Sequence, residues 1–216
     1  MKTLELHKCT CGYGKKVILP QVSMHIEQGE LYLIEGENGS GKTTLGLTLL
    51  GLLPLLHGKR ICTFHNCAYV PQKSQLDYQY PIKIRTLVSM GLQSFASFNI
   101  IAALKQRKKN SQKLKNLLNR LNLYEKQHLR FSETSGGELQ RALIARAFIS
   151  EPDVILLDEP FANIDKKGRD LIKEILLQEH KENNTTLIVI DHHSNLDFYT
   201  KKIILTEGEV EINGSL

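Results

Sequence analysis

Residues 36–44, Gly-Glu-Asn-Gly-Ser-Gly-Lys-Thr-Thr, put three glycines, one lysine and three hydroxyls into nine positions. The residues before them, Glu30 to Glu35, read as a short apolar strand, and those after them, Leu45 to Leu53, have the apolar density of a buried helix. A turn from strand to helix needs one glycine, and Gly36, Gly39 and Gly41 exceed that. The spacing is G-x-x-x-x-G-K-[ST], a phosphate-binding loop. Backbone unshielded by side chains can point successive N–H groups at an anion. A helix beginning near Gly41 adds its N-terminal dipole. The segment therefore reads as the triphosphate cradle of an α/β nucleotide-binding core. Gly36, Glu37, Asn38, Gly39, Ser40, Gly41, Lys42, Thr43 and Thr44 are its candidate binding residues. Lys42 offers a charge to the β- and γ-phosphates, and the Thr43 hydroxyl can ligate Mg²⁺.

A chain of 216 residues suits one domain with room for an inserted lobe. No stretch approaches the ~20 apolar residues that span a bilayer, and the longest candidate, 45–56, contains Pro54. Glu5 falls where a signal peptide needs its apolar region. The expected location is cytoplasmic. Net charge is only +5, densest at 105–115, a run without the interleaved aromatics that stack bases. That run reads as a solvated surface, so no nucleic-acid partner is expected. Cys9 and Cys11, and Cys62 and Cys67, lack zinc-site spacing and are expected to be reduced thiols.

Along the chain, two or three N-terminal strands precede the loop, and a further strand is expected near 67–72. Residues 82–150 carry mostly helical patterns, with Leu114, Leu117, Leu118, Leu121 and Leu123 on a helical period. Strand and helix then alternate again: 153–159, a helix over 167–181, 186–193 and two short terminal strands. The runs Val-Ile-Leu-Leu and Leu-Ile-Val-Ile are apolar on both faces, as in a buried parallel sheet. The organisation expected is one domain, with a core of 1–81 and 151–216 and a helical subdomain at about 82–150.

Two more constellations carry chemistry. Asp158 and Glu159 close an apolar strand, where open α/β sheets bind ligands. Asp158 can hold Mg²⁺ there, and Glu159 can polarise an attacking water. Ser135 with Glu138 three residues on forms a capping box. A capping box does not call for Gly136 and Gly137, each costing about 1 kcal/mol relative to alanine inside a helix. They make sense where a phosphate must approach the backbone closely. The first loop already holds one triphosphate, so this helix end could serve a nucleotide on another copy of the chain.

Taken together, these motifs resemble the ATP-binding subunit of an ABC transporter, over nearly the full length. In that resemblance 36–44 is the Walker A loop, 154–159 the Walker B strand and 134–138 the signature motif. Gln72 matches the Q-loop, residues 162–165 the D-loop and His192 the switch histidine, with the adjacent His193 as the alternative. Tyr13 lies where the family often stacks an aromatic ring on adenine. Thr134, Glu138 and Glu37 depart from the usual leucine, glutamine and proline, and Glu37 adds a negative charge near the anion site.

The resemblance implies a P-loop NTPase fold with N-terminal antiparallel strands and an inserted helical subdomain. It also implies ATP and Mg²⁺ as cofactors, a head-to-tail dimer around two ATP, and separate transmembrane permease subunits. The chain would then sit peripherally on the cytoplasmic face of the membrane. Glu159 and His192 would be catalytic, and Thr43, Gln72 and Asp158 would surround Mg²⁺. Residues 70–91, with Gln72, Asp77, Tyr78, Pro81, Met90 and Gly91, resemble the same stretch in zinc- and manganese-uptake ATPases. A small haem or lipoprotein exporter ATPase and a soluble iron–sulfur-assembly ATPase are the alternatives.

Overall fold

The computed structural model describes residues 2–73, 81–92, 100–192, 198–206 and 209–214. Contacts divide the chain into two compact units. The first is Met1–Gln72, Pro152–Ala162 and Leu176–Leu216; the second is Lys73–Glu151 and Asn163–Ile175.

The first unit contains two sheets. β1 (Thr3–Tyr13), β2 (Lys16–Glu27) and β4 (His57–Cys62) form an antiparallel sheet in the order β2-β1-β4. From Val22 onward β2 alternates, burying Val22, Met24 and Ile26 and exposing Ser23 and His25, while Leu19 is buried ahead of a register shift. The second sheet has six strands in the order β5-β6-β7-β3-β8-β9. They are β3 (Leu31–Gly36), β5 (Cys67–Val70), β6 (Val154–Asp158), β7 (Thr186–Ile190), β8 (Lys201–Thr206) and β9 (Glu209–Gly214). All neighbours are parallel except β8 and β9. β6 and β7 are buried at every position, as expected of strands covered on both faces.

Helix α1 (Lys42–Leu50) packs against strands of both sheets. Leu45 and Leu49 join Leu6, Leu19, Ile34, Leu156 and Ile190 in one apolar cluster. The approach is close: a Cβ on Gly46 would lie 2.8 Å from the Leu156 side chain. The layering carries the phosphate loop to the C-terminal edge of the parallel strands, where the carboxylates closing β6 also emerge. β4 was not anticipated. Its sequence, His-Gly-Lys-Arg-Ile-Cys, has no apolar alternation, and pairing with β1 makes it a strand.

The second unit holds α2 (Ile84–Ser89), α3 (Ile100–Arg120) and α4 (Gly136–Phe148). Leu114, Leu117 and Leu118 are buried on one face of α3, and Leu121 and Leu123, expected to continue the same helical period, are buried just beyond its end. α2 lies so close to α4 that a Cβ on Gly91 would fall 2.0 Å from the Arg146 carbonyl oxygen. α5 (Lys166–Asn183) begins in this unit and ends in the first. Among the described residues no helix is long and apolar enough to cross a membrane. The four cysteines are free thiols.

Candidate nucleotide-binding site

The loop between β3 and α1 depends on two glycines with left-handed backbone. Gly39 has φ 85° and Gly41 φ 99°. At Gly41 a side chain would also press on Ile18 at 2.9 Å and Leu19 at 3.1 Å. Gly41 is the N-cap of α1, whose first turn carries no acidic side chain, so its dipole stays uncancelled. Lys42, only 7% exposed, folds back along the loop. Its Nζ donates to the carbonyls of Gly36 at 2.8 Å and Glu37 at 2.7 Å. The Glu37 side chain itself is exposed. The buried Ser40 Oγ has no hydrogen-bond partner among the described residues, an acceptor and donor aimed inside a loop suited to phosphate.

Thr43 follows, and its Oγ1 donates to Asp158 Oδ2 at 2.9 Å, joining the loop to the end of β6. Asp158 is 2% exposed. Burial raises its carboxyl above the usual range, and the neighbouring Glu159 charge raises it further; hydrogen bonds from Thr43 and Tyr69 and the Lys42 charge oppose this. Tyr69, on β5, contributes its hydroxyl at 3.5 Å, and burial pushes that phenol up in turn. A buried carboxylate beside a hydroxyl is a hard-oxygen pair suited to Mg²⁺, which takes one or two carboxylates and completes its shell with phosphates and water. Among the described residues no cluster of three or more His, Cys, Asp or Glu could hold a metal alone. The donor set fits a cation shared with a bound triphosphate.

Glu159 leaves the strand with φ 47°, a conformation costing a non-glycine residue on the order of 1–3 kcal/mol. Its N–H donates to the Ile190 carbonyl of β7 at 2.9 Å, which holds the turn. Its carboxylate receives Gln72 Nε2 at 2.6 Å and lies 3.7 Å from His192 Nδ1. Gln72, Glu159 and His192 are thus one cluster, brought from three strand ends. Asn38, Gly39, Gly41, Lys42, Thr43, Thr44, Asp158 and Glu159 line a cavity of about 230 Å³. His192 and residues 36–40 line a second groove of about 780 Å³. Tyr13 ends β1, paired with Lys16, and leaves 48% of its surface exposed. His193, Asp77 and Tyr78 lie outside the described residues.

Ser135, Gly136 and Gly137 belong to the second unit, at the start of α4. The capping box is present: Ser135 Oγ accepts from the Glu138 N–H at 3.3 Å, and Glu138 Oε2 accepts from the Ser135 N–H at 2.8 Å. A Cβ at Gly136 would meet Lys73 Nζ at 3.5 Å, and one at Gly137 would meet Arg141 at 3.7 Å, both ordinary contacts. The protein's own packing therefore leaves room for alanines at both positions. Lys126 is ion-paired with the second oxygen of Glu138. The Lys126 and Ser135 hydrogen bonds hold that carboxyl below its usual range although burial acts the other way. Sequence reasoning missed Tyr69 and Lys126, because neither belongs to a local pattern.

Strand, glycine loop, helix and paired carboxylates define a P-loop nucleoside triphosphatase. A sequence profile described as ABC transporter matches residues 19–162. The manganese transport system ATP-binding protein MntB of Listeria monocytogenes is 32% identical over 98% of this chain and 89% of its own. The zinc import ATP-binding protein ZnuC of Wigglesworthia glossinidia brevipalpis is 34% identical over 83% and 72%. Among solved structures, an inward-facing putative metal-chelate type ABC transporter superposes with a TM-score of 0.81 at 26% identity, covering 99% of this chain and 83% of that one. The chain belongs to the ABC transporter family, as one of its ATP-hydrolysing cassettes.

Proposed function

We propose that this cassette powers a membrane transporter for a divalent first-row metal ion such as Zn²⁺ or Mn²⁺. Two copies would pair head to tail around two ATP, on separate permease subunits at the inner face of the membrane. The observation that carries the ATPase chemistry is the meeting of Thr43, Asp158, Glu159, Gln72 and His192 beside the Lys42 loop. The cargo rests on the similarity to manganese and zinc transport proteins. The segment around Pro81, Met90 and Gly91 supports it; Met90, 57% exposed, offers a partner an apolar contact.

Catalysis of this kind is positioning and electrostatics. Lys42 and the loop N–H groups grip the β- and γ-phosphates. Thr43, Asp158 and the Gln72 amide oxygen would hold Mg²⁺, which supplies positive charge to the phosphate oxygens. Glu159 orients the attacking water and accepts its proton, and His192 contacts the γ-phosphate. Ser135, Gly136 and Gly137 of the second copy close over the same phosphate, and Tyr13 stacks on adenine.

The deciding experiment isolates the tagged chain from membranes and measures uptake of radioactive Mn²⁺ and Zn²⁺ by cells with and without it. Co-purification with a polytopic protein and loss of uptake of either ion on deletion are expected. Recovery without any membrane protein would favour the soluble ATPase. Unchanged metal uptake would move the cargo elsewhere.

Two substitutions test the site. His192→Ala is expected to lower steady-state ATP turnover at least about tenfold, as removal of a transition-state hydrogen bond to a charged group should. His193→Ala should change it less than about twofold, and the reverse ranking would transfer the role. Lys126→Ala should free the Glu138 charge beside the incoming phosphate and lower turnover several-fold. Adding Glu138→Gln should restore it, since the charge to be compensated is gone. A double variant no better than Lys126→Ala would show that the lysine does something else.

A further inference from the structure

We propose that Lys73 is a positioning residue for the start of α4, fixing the Ser135–Gly137 backbone and presenting a buried positive charge to the triphosphate that arrives there. The inference rests on the two-copy reading above and assigns this residue a part in it.

Lys73 directly follows Gln72, yet it belongs with the helical unit. It is 7% exposed, and its Nζ donates to the Gly136 carbonyl at 3.3 Å. Lysine is almost never buried unless paired, and among the described residues no carboxylate is ion-paired with this one. The first turn of a helix carries partial positive charge, so a cation beside it meets further opposition. Lys126, the other lysine near this helix end, has Glu138 as its counter-ion. Lys73 therefore sits where the chain's own electrostatics disfavour it twice over. An anion at Ser135–Gly137 removes both objections.

The geometry also assigns the division of labour. Ser135 Oγ accepts the Glu138 N–H and keeps its own O–H for a ligand, while the Glu138 carboxylate is engaged by the Ser135 N–H and Lys126. The first N–H groups of a helix have no partner within it, so those of Gly136 and Gly137 can face a ligand. Lys73 holds the same turn through its carbonyl side, which keeps the ammonium close to the backbone of Gly136. The hydrogen bond orients the turn, and the charge makes it attractive to phosphate.

The test uses the full chain with Lys73→Met and Lys73→Arg, each alone and combined with Glu159→Gln. Methionine keeps the apolar stem in a buried site and removes only the charge and its hydrogen bond. The Tm of Lys73→Met is expected to equal or exceed that of the parent. Amide hydrogen exchange over residues 134–140, measured without nucleotide, should accelerate several-fold in Lys73→Met and stay near the parent in Lys73→Arg. In the Glu159→Gln background, Lys73→Met should weaken Mg-ATP-driven dimerisation at least tenfold, while a fluorescent ATP analogue binds the single chain unchanged. Faster exchange in Lys73→Met alongside a Glu159→Gln parent that never dimerises would sink the two-copy reading and leave the positioning role standing. Unchanged exchange and dimerisation in Lys73→Met, or a Tm fall of several degrees with dimerisation intact, would overturn the inference.

Discussion

Glu159→Gln is expected to slow ATP turnover about a hundredfold or more, the scale of a lost general base, while trapping an ATP-dependent dimer. The amide has the shape of the carboxylate but cannot take the proton from water. It can still accept the hydrogen bond from Gln72 Nε2, which spans 2.6 Å in the present cluster, so the local structure should hold. Lys42 and the Ser135 helix end then keep their grip on an unhydrolysed γ-phosphate. Removing a negative charge near the triphosphate also relieves repulsion; like charges 4 Å apart interact by about 4 kcal/mol at an effective dielectric near 20. Size-exclusion chromatography with light scattering, at high protein concentration and millimolar Mg-ATP, reads the outcome. Turnover at the parent rate would end the catalytic assignment of Glu159. A slow variant that stays monomeric even with its permease would spare the base and count against the sandwich.

Lys42→Ala should weaken ATP binding roughly ten- to hundredfold, since hydrogen bonds from a charged group contribute about 1.5–3 kcal/mol. The loop should survive, because its turns depend on Gly39 and Gly41 and its ends are held by β3 and α1. The carbonyls of Gly36 and Glu37, freed from Nζ, can turn to water at the open side of the cavity. Equilibrium binding of ATP, with circular dichroism as the folding control, separates the two effects. Parent affinity in a folded variant would remove Lys42 from the phosphate site. A variant that fails to fold would show that the lysine's two carbonyl bonds hold the loop together.

What the sequence by itself determined is chemistry carried by contiguous residues. The glycine loop needs three glycines, a lysine and a hydroxyl at fixed spacing, because the backbone itself forms the cradle. The double carboxylate after Val-Ile-Leu-Leu and the capping box at Ser135 are likewise local. A strand end or helix start places neighbouring residues wherever the rest of the chain goes. The apolar runs of β6 and β7 announce a sheet covered on both faces for the same reason, since their burial follows from their own composition.

Only the tertiary structure decided the pairings between distant segments. β4 is polar enough to pass for a loop and becomes a strand through the ladder that β1 offers. Tyr69 reaches Asp158, and Lys126 reaches Glu138, because neighbouring elements bring them together. The left-handed turn at Glu159 is strain that no residue type announces, held by a bond to Ile190 on the next strand. Nothing in the sequence singles out Lys73, and packing beside the start of α4 buries it. Spacing along the chain encodes what a short backbone segment can do alone; charge compensation and strain arise from contacts between segments, and the fold supplies them.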